Sequence, residues 1–166
     1  FQDCTSLKSV SIYSNVSVIP EQAFGNCTSL EKINIPSTVK SIGSYAFYNC
    51  SALTELTLSK NITDIANGAF YNCPNLTLYG YYDTVAESYA EQNNIPFVHL
   101  DKKVISGDVN FDGKIDINDV TLLQRYIAGA SVLTDDAVKA ADFNKDRIID
   151  VIDATAIQTF IAHGQN

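Results

Sequence analysis

The sequence predicts two unlike domains: a β-rich solenoid of stacked repeats closed by a helical cap, then a small all-α domain of two loop–helix units. Two observations carry this. Residues 1–82 repeat at a period of 23, with Phe1, Phe24, Phe47 and Phe70 in phase, as are Cys4, Cys27, Cys50 and Cys73, and Leu7, Leu30, Leu53 and Leu76. Residues 108–119 are then echoed by residues 142–153, each run carrying oxygen-bearing side chains at regular intervals.

Further positions keep the 23-residue period: Val10, Ile33 and Leu56; Ile12, Ile35 and Leu58; Val16, Val39 and Ile62; Ile19, Ile42 and Ile65; Ala23, Ala46 and Ala69. A unit this short cannot bury its apolar set alone, and stacking such units makes one continuous core. The β-branched runs Val10–Tyr13, Ile33–Ile35 and Leu56–Leu58 predict one strand per coil. Val16–Ile19, Val39–Ile42 and Ile62–Ile65 predict a second strand on the opposite wall. The outward positions Ser9, Lys32, Glu55, Ser11, Asn34 and Thr57 are small, polar and mixed in charge, without an aromatic platform. They predict a solvated face, with a glycan or protein ligand of the repeats left open. Cysteines on neighbouring coils would lie ~4.8 Å apart with parallel Cβ vectors, which suits a ladder of free thiols better than disulfides. In-line thiols also cannot surround a tetrahedral zinc ion.

After the repeats, Thr84–Gln92 has helical spacing, with Asp83 as the expected N-cap, and Ile95–Leu100 reads as a last strand. A helix and an odd strand are a means of closing the end of a solenoid. His99 reads as a strand-edge residue. Asp101-Lys102-Lys103 is a short polar joint, placing the domains at residues 1–103 and 104–166.

In the second domain, oxygen ligands stand at loop positions 1, 3, 5, 9 and 12. They are Asp108, Asn110, Asp112, Asp116 and Asp119 in the first copy and Asp142, Asn144, Asp146, Asp150 and Asp153 in the second. Lys114 and Ile148, at position 7, would each lend a backbone carbonyl. This is the EF-hand calcium spacing with Asp at position 12, and calcium as a hard cation wants six to eight oxygens. One such loop is compatible with an acidic turn; two in register predict two Ca2+ ions. Helices should follow each loop, at about Asn118–Ala128 with Gly129 beyond its end and at about Val151–Ala162, with a short helix opening at Thr134 between them. The copies align at an offset of 34, and Val120/Ala154, Leu123/Ile157, Tyr126/Phe160 and Ile127/Ile161 should form the core.

The run F-x-x-C-x-x-L-x-x-I-x-I followed by V-x-x-I-x-x-x-A resembles the BspA-like leucine-rich repeat over roughly residues 1–100. That resemblance implies a right-handed leucine-rich-repeat solenoid on an extracellular bacterial protein, used for binding or as a spacer rather than catalysis. The tail Tyr-Gly … Ala-Glu-x-Tyr-Ala … Asn-Ile-Pro-Phe is similar to the way that family ends. Ser106-Gly107 leaves no room for a helix before the first calcium loop, unlike an ordinary EF-hand. Two loop–helix units joined by a short helix resemble a type I dockerin over about residues 106–163. That resemblance implies calcium-dependent docking onto the cohesin module of a scaffoldin, and a secreted place in a bacterial cellulosome. The chain departs from the family pattern at loop position 6, where Arg147 faces Gly113, and at positions 10 and 11, which hold Ile117-Asn118 and Val151-Ile152 rather than a Ser-Thr pair. The surfaces left for a partner are Ile117, Asn118, Leu122 and Arg125 on the first copy, and Val151, Ile152, Ala156, Thr159 and His163 on the second. The second is the smoother and more apolar, so one binding orientation carried by the last helix is expected.

Net charge is −8, and eight of the nineteen acids are the loop carboxylates, which argues against a nucleic-acid partner or an anionic membrane. No apolar run approaches the ~20 residues of a membrane span. Two histidines, neither beside a plausible nucleophile, weaken any catalytic triad, and the reading is of a non-enzyme. Phe1 falls mid-repeat, so the chain is expected to be part of a longer one, with a polysaccharide-degrading catalytic domain upstream as the alternative. A calmodulin-type sensor is disfavoured by the absence of Met.

Overall fold

Each coil of the repeat region contributes two short strands in a computed structural model that describes residues 1–13 and 15–164. One set is β1 (Ser9–Ser11), β3 (Lys32–Asn34) and β5 (Glu55–Thr57); the other is β2 (Val18–Ile19), β4 (Ser41–Ile42) and β6 (Asp64–Ile65). Pairing is parallel and in phase with the sequence period: Val10 lies opposite Ile33 in the first set, and Ile19, Ile42 and Ile65 line up in the second. The strands of the first set start one residue before the apolar runs, with the central residue of each triplet, such as Ile33 or Leu56, pointing inward, and those of the second set are only two residues long. A further strand, β7 (Thr77–Gly80), was not foreseen; it joins β5 to β8 (Phe97–His99) in a three-stranded parallel sheet.

The interior is a column of repeated side chains. Phe24, Phe47 and Phe70 stack with ring centroids 5.2 Å apart and planes within 14° of parallel. Leu30, Leu53, Ile42, Leu56 and Leu58 fill the space around them, and apolar burial on this scale supplies the driving force for stacking. The four cysteines are free. Three of them donate Sγ–H to a phenylalanine carbonyl of the preceding coil: Cys27 to Phe1 at 3.1 Å, Cys50 to Phe24 at 3.2 Å and Cys73 to Phe47 at 3.0 Å. A second ladder runs through Asp3, Asn26, Asn49 and Asn72, each at φ near 60°, where short polar side chains are best tolerated. Their amides bridge coil to coil at 2.8–3.1 Å.

Helix α1 (Val85–Gln92) closes the stack, burying Ala86, Tyr89 and Ala90. Its N-cap is Thr84, whose Oγ accepts from the Glu87 N–H, and not Asp83. Asp83 sits one residue earlier at φ 57° and donates its own N–H to Glu87 Oε2 at 2.7 Å. His99 does more than mark an edge: its Nε2 lies 2.7 Å from Glu87 Oε1, and its ring stacks on Tyr82 at 3.6 Å, tying β8 to the helix.

The chain divides into two compact units, Phe1–Asp101 and Lys102–Asn166. The second holds α2 (Ile117–Ile127), α3 (Asp135–Ala141) and α4 (Val151–His163). Helix α2 packs on α4 around Val109, Val120, Leu123, Ala137, Ala154 and Ile157, with Tyr126, Ile127 and Ile161 half-buried beside them. Phe160 is half-buried too, edge-on to Phe143 at 5.7 Å. Gly129, at φ 70°, ends α2 with paired bonds from Gly129 N–H to the Tyr126 carbonyl and from Ala130 N–H to the Arg125 carbonyl, a Schellman closure.

Candidate calcium loops and docking face

The two acidic loops fold alike in all but one bond, at position 1. At position 1, Asp108 Oδ1 accepts from the Asp112 N–H at 3.1 Å and its Oδ2 from the Gly113 N–H at 2.9 Å. In the second copy Asp142 Oδ2 accepts from the Arg147 N–H at 3.1 Å. Positions 3 and 5 each brace the N–H two residues on: Asn110 that of Asp112, Asp112 that of Lys114, Asn144 that of Asp146 and Asp146 that of Ile148, all at 2.8–2.9 Å. The bonds pull the chain into a tight curl, with loop position 4 (Phe111, Lys145) and position 6 (Gly113, Arg147) at positive φ.

Positions 9 and 12 belong to loop and helix together. Asp116 caps α2 and Asp119 completes a capping box with it; Asp150 and Asp153 do the same for α4. Asp119 Oδ1 also accepts from the N–H groups of Val109 and Asn110, at 2.8 and 3.1 Å, and Asp153 Oδ1 from those of Phe143 and Asn144. Position 12 therefore pins the start of each loop to the start of each helix, which the spacing alone did not reveal. Among the described residues no three His, Cys, Asp or Glu side chains converge as a metal cluster; the loop carboxylates are directed at the loop's own N–H groups. A carboxylate oxygen that accepts one such bond still has a lone pair for a cation.

The donor chemistry fits calcium. Asp108, Asp119 and Asp153 are at most 1 % exposed, and among the described residues no lysine or arginine nitrogen lies within 4 Å of them. Asp142 Oδ1 is buried with no hydrogen-bond partner. Buried carboxylates without counter-charge are costly, and a divalent cation ligated by all-oxygen donors removes that cost. Burial pushes the Asp119 carboxyl above its ordinary range, and the nearby Asp108 carboxylate adds to this, while N–H groups of Asp116, Asn110 and Val109 pull it down.

The expected docking residues divide unequally. Val151 and Ile152 are 63 % and 56 % exposed at the start of α4, so they do not pack on their own domain. With Thr155, Ala156 and Thr159 they line a shallow apolar depression. Thr155 and Thr159 donate their hydroxyls to the Val151 and Thr155 carbonyls at 2.8 Å, so the helix itself satisfies its polar groups on this face. His163 Nδ1 lies 2.7 Å from the Thr159 carbonyl at the far end. On α2, Ile117, Asn118 and Arg125 are exposed, but Leu122 is half-buried and packs into the core, a correction to its expected exposure. The sequence reading overlooked a set of tyrosines, Tyr45, Tyr48 and Tyr71, on the repeats. The signal was present, since Tyr48 and Tyr71 stand one 23-residue period apart and their rings stack at 6.0 Å.

Fold and loops together define a repeat solenoid joined to a paired loop–helix docking module. Comparison with protein families agrees: residues 1–95 match the BspA type Leucine rich repeat region in six copies, and residues 106–162 match the Dockerin type I domain. The chain belongs to the BspA-type leucine-rich-repeat family and continues into a type I dockerin domain. Among solved structures it is similar to a leucine rich cell surface protein from Faecalibacterium prausnitzii A2-165, at 30% identity and a TM-score of 0.44. That alignment covers 46% of this chain and 20% of the other, so this chain spans about a fifth of its length. No curated protein matches the chain. Neither domain type is catalytic. The dockerin implies a cohesin partner and cellulosome-type anchoring in general, type I dockerins generally bind calcium, and the two domains together suggest an extracellular or cell-surface bacterial protein. Among the described residues no helix is long and apolar enough to cross a membrane.

Proposed function

We propose that the second unit binds two calcium ions, one per loop, and docks onto a scaffoldin cohesin through the apolar start of α4, anchoring the repeats in a cellulosome. The ligands are Asp108, Asn110, Asp112, Asp116 and Asp119 with the Lys114 carbonyl, and Asp142, Asn144, Asp146, Asp150 and Asp153 with the Ile148 carbonyl. The bound ions would offset half the charge of the eight loop carboxylates and hold the loops that cap α2 and α4.

The observation that carries the docking face is the exposure of Val151 and Ile152 beside a depression free of charged side chains. Exposed apolar side chains gathered at one place are costly until a partner covers them, and desolvated apolar centres dominate interfaces. The equivalent α2 surface offers an exposed Ile117 beside Asn118 and Arg125, with Leu122 half-buried, in place of that smooth face. The two copies are therefore unequal, and one binding orientation follows.

Surface binding to a panel of cohesins tests this. Ile152→Asp should weaken the binding that is found by roughly 2 kcal/mol or more, about thirtyfold. Asn118→Asp should change it by less than about threefold, since a rim polar group contributes little. Equal losses in the two variants, or a loss only in the second, would contradict the orientation.

A further inference from the structure

We propose a second binding site, on the repeats, for a neutral saccharide. It lies on the turn side of the coils, in a recess of about 380 Å3, within the usual size range of small-molecule sites. Gln2, Gly25, Tyr48 and Tyr71 occupy the same position of successive repeats. Gly25 interrupts that column, and the missing side chain is what opens the recess. A Cβ built at Gly25 would meet only ordinary contacts of 3.4–3.7 Å with Gln22, so its neighbours leave a side chain room and the gap is not forced by crowding.

The walls have the chemistry of sugar recognition. Tyr48 stacks on Tyr71 at 6.0 Å with planes 12° apart, and Tyr45 stands edge-on to Tyr48 at 89°. Two aromatic directions therefore meet at the recess, with Tyr45 45 % and Tyr71 63 % exposed. The lining also holds amides: Gln2 Nε2 donates to Gln22 Oε1 at 2.8 Å, and Asn26 is a further lining amide. None of the lining side chains is charged. The electron-rich face of a tyrosine suits the C–H face of a pyranose ring, and side-chain amides both donate to and accept from hydroxyls. An anionic ligand would meet no cation here. A proline-rich peptide could also use tyrosines, but the Gln2–Gln22 amide pair suits hydroxyls better than the tertiary amides of prolines.

The test is calorimetric titration of the full chain with cellohexaose, xylohexaose and mannohexaose, with a tri-galacturonate and a proline decapeptide as comparisons. At least one neutral hexasaccharide should bind, with a Kd between about 10 μM and 1 mM. Gly25→Tyr, which fills the recess, should weaken that binding at least tenfold while leaving thermal unfolding of the repeats unchanged. Tyr48→Ala should weaken it similarly. Failure of all three hexasaccharides to bind, binding of the peptide or the acidic sugar instead, or unaltered sugar binding in Gly25→Tyr would overturn the proposal.

Discussion

Gly113 and Arg147 occupy the same turn of the two loops, at φ 84° and 70°. Both copies need a left-handed residue there, because the N–H of each bonds back to the Asp at position 1. Glycine adopts that backbone freely, whereas a side chain costs ~1 kcal/mol or more. Arg147→Gly should tighten the second calcium site by about fivefold. Gly113→Ala should weaken the first by a similar factor through strain alone, since a Cβ there meets nothing within 4 Å. Calcium calorimetry on the full chain reads both, and equal affinities unmoved by either substitution would contradict the strain. The cysteines make a second residue-scale case. Burial pushes the Cys27 thiol up, and the neighbouring Cys73 together with burial pushes the Cys50 thiol up as well. Thiolate is the reactive form, so at pH 8 both should resist iodoacetamide in the folded protein. All four should react once the chain is unfolded, without prior reduction; rapid native labelling of Cys50 would argue against this.

At the scale of elements, close approach of coils decides what is allowed. A Cβ at Gly43 would lie 2.5 Å from the Glu21 nitrogen and 2.8 Å from the Pro20 carbonyl carbon, both backbone atoms. Gly43→Ala must push two coils apart and should cost ~2 kcal/mol in urea unfolding of the repeats. An unchanged midpoint would mean that the coils yield easily. Much of this fold was legible beforehand, because stacking turns each period of 23 residues into a column: Phe24 over Phe47, Cys27 over Cys50, Leu30 over Leu53. The two acidic loops were legible because their oxygen-bearing side chains recur at the same spacing, 34 residues apart. What stayed hidden depends on local competition between polar groups. Thr84 and Asp83 are both good caps, and the winner was decided when Asp83 took φ 57° and gave its N–H to Glu87. Strand β7 was obscured because it pairs at an offset of 22, with Leu56 opposite Leu78, just where the repeat yields to the cap. Leu122 could not be assigned from periodicity, since it sits at the margin between core and surface.

For the whole molecule, the separation into Phe1–Asp101 and Lys102–Asn166 suggests two unfolding events with different requirements. The repeats rest on an apolar column, and nothing in it calls for a metal. The second unit rests on a small core and on loops that bury the carboxylates of Asp108, Asp119 and Asp153. Chelation should leave those carboxylates repelling one another and melt the second unit while the repeats keep their transition. Circular dichroism melts with and without chelator read this, and identical curves would contradict it. The central claim, calcium-dependent cohesin docking, is tested most directly by calorimetric titration of the full chain with a panel of cohesins, in calcium and then in chelator. The expected result is one-to-one binding to at least one cohesin in calcium, abolished by chelator and restored by added calcium. Binding that survives chelation, or no binding to any cohesin in calcium, would contradict it.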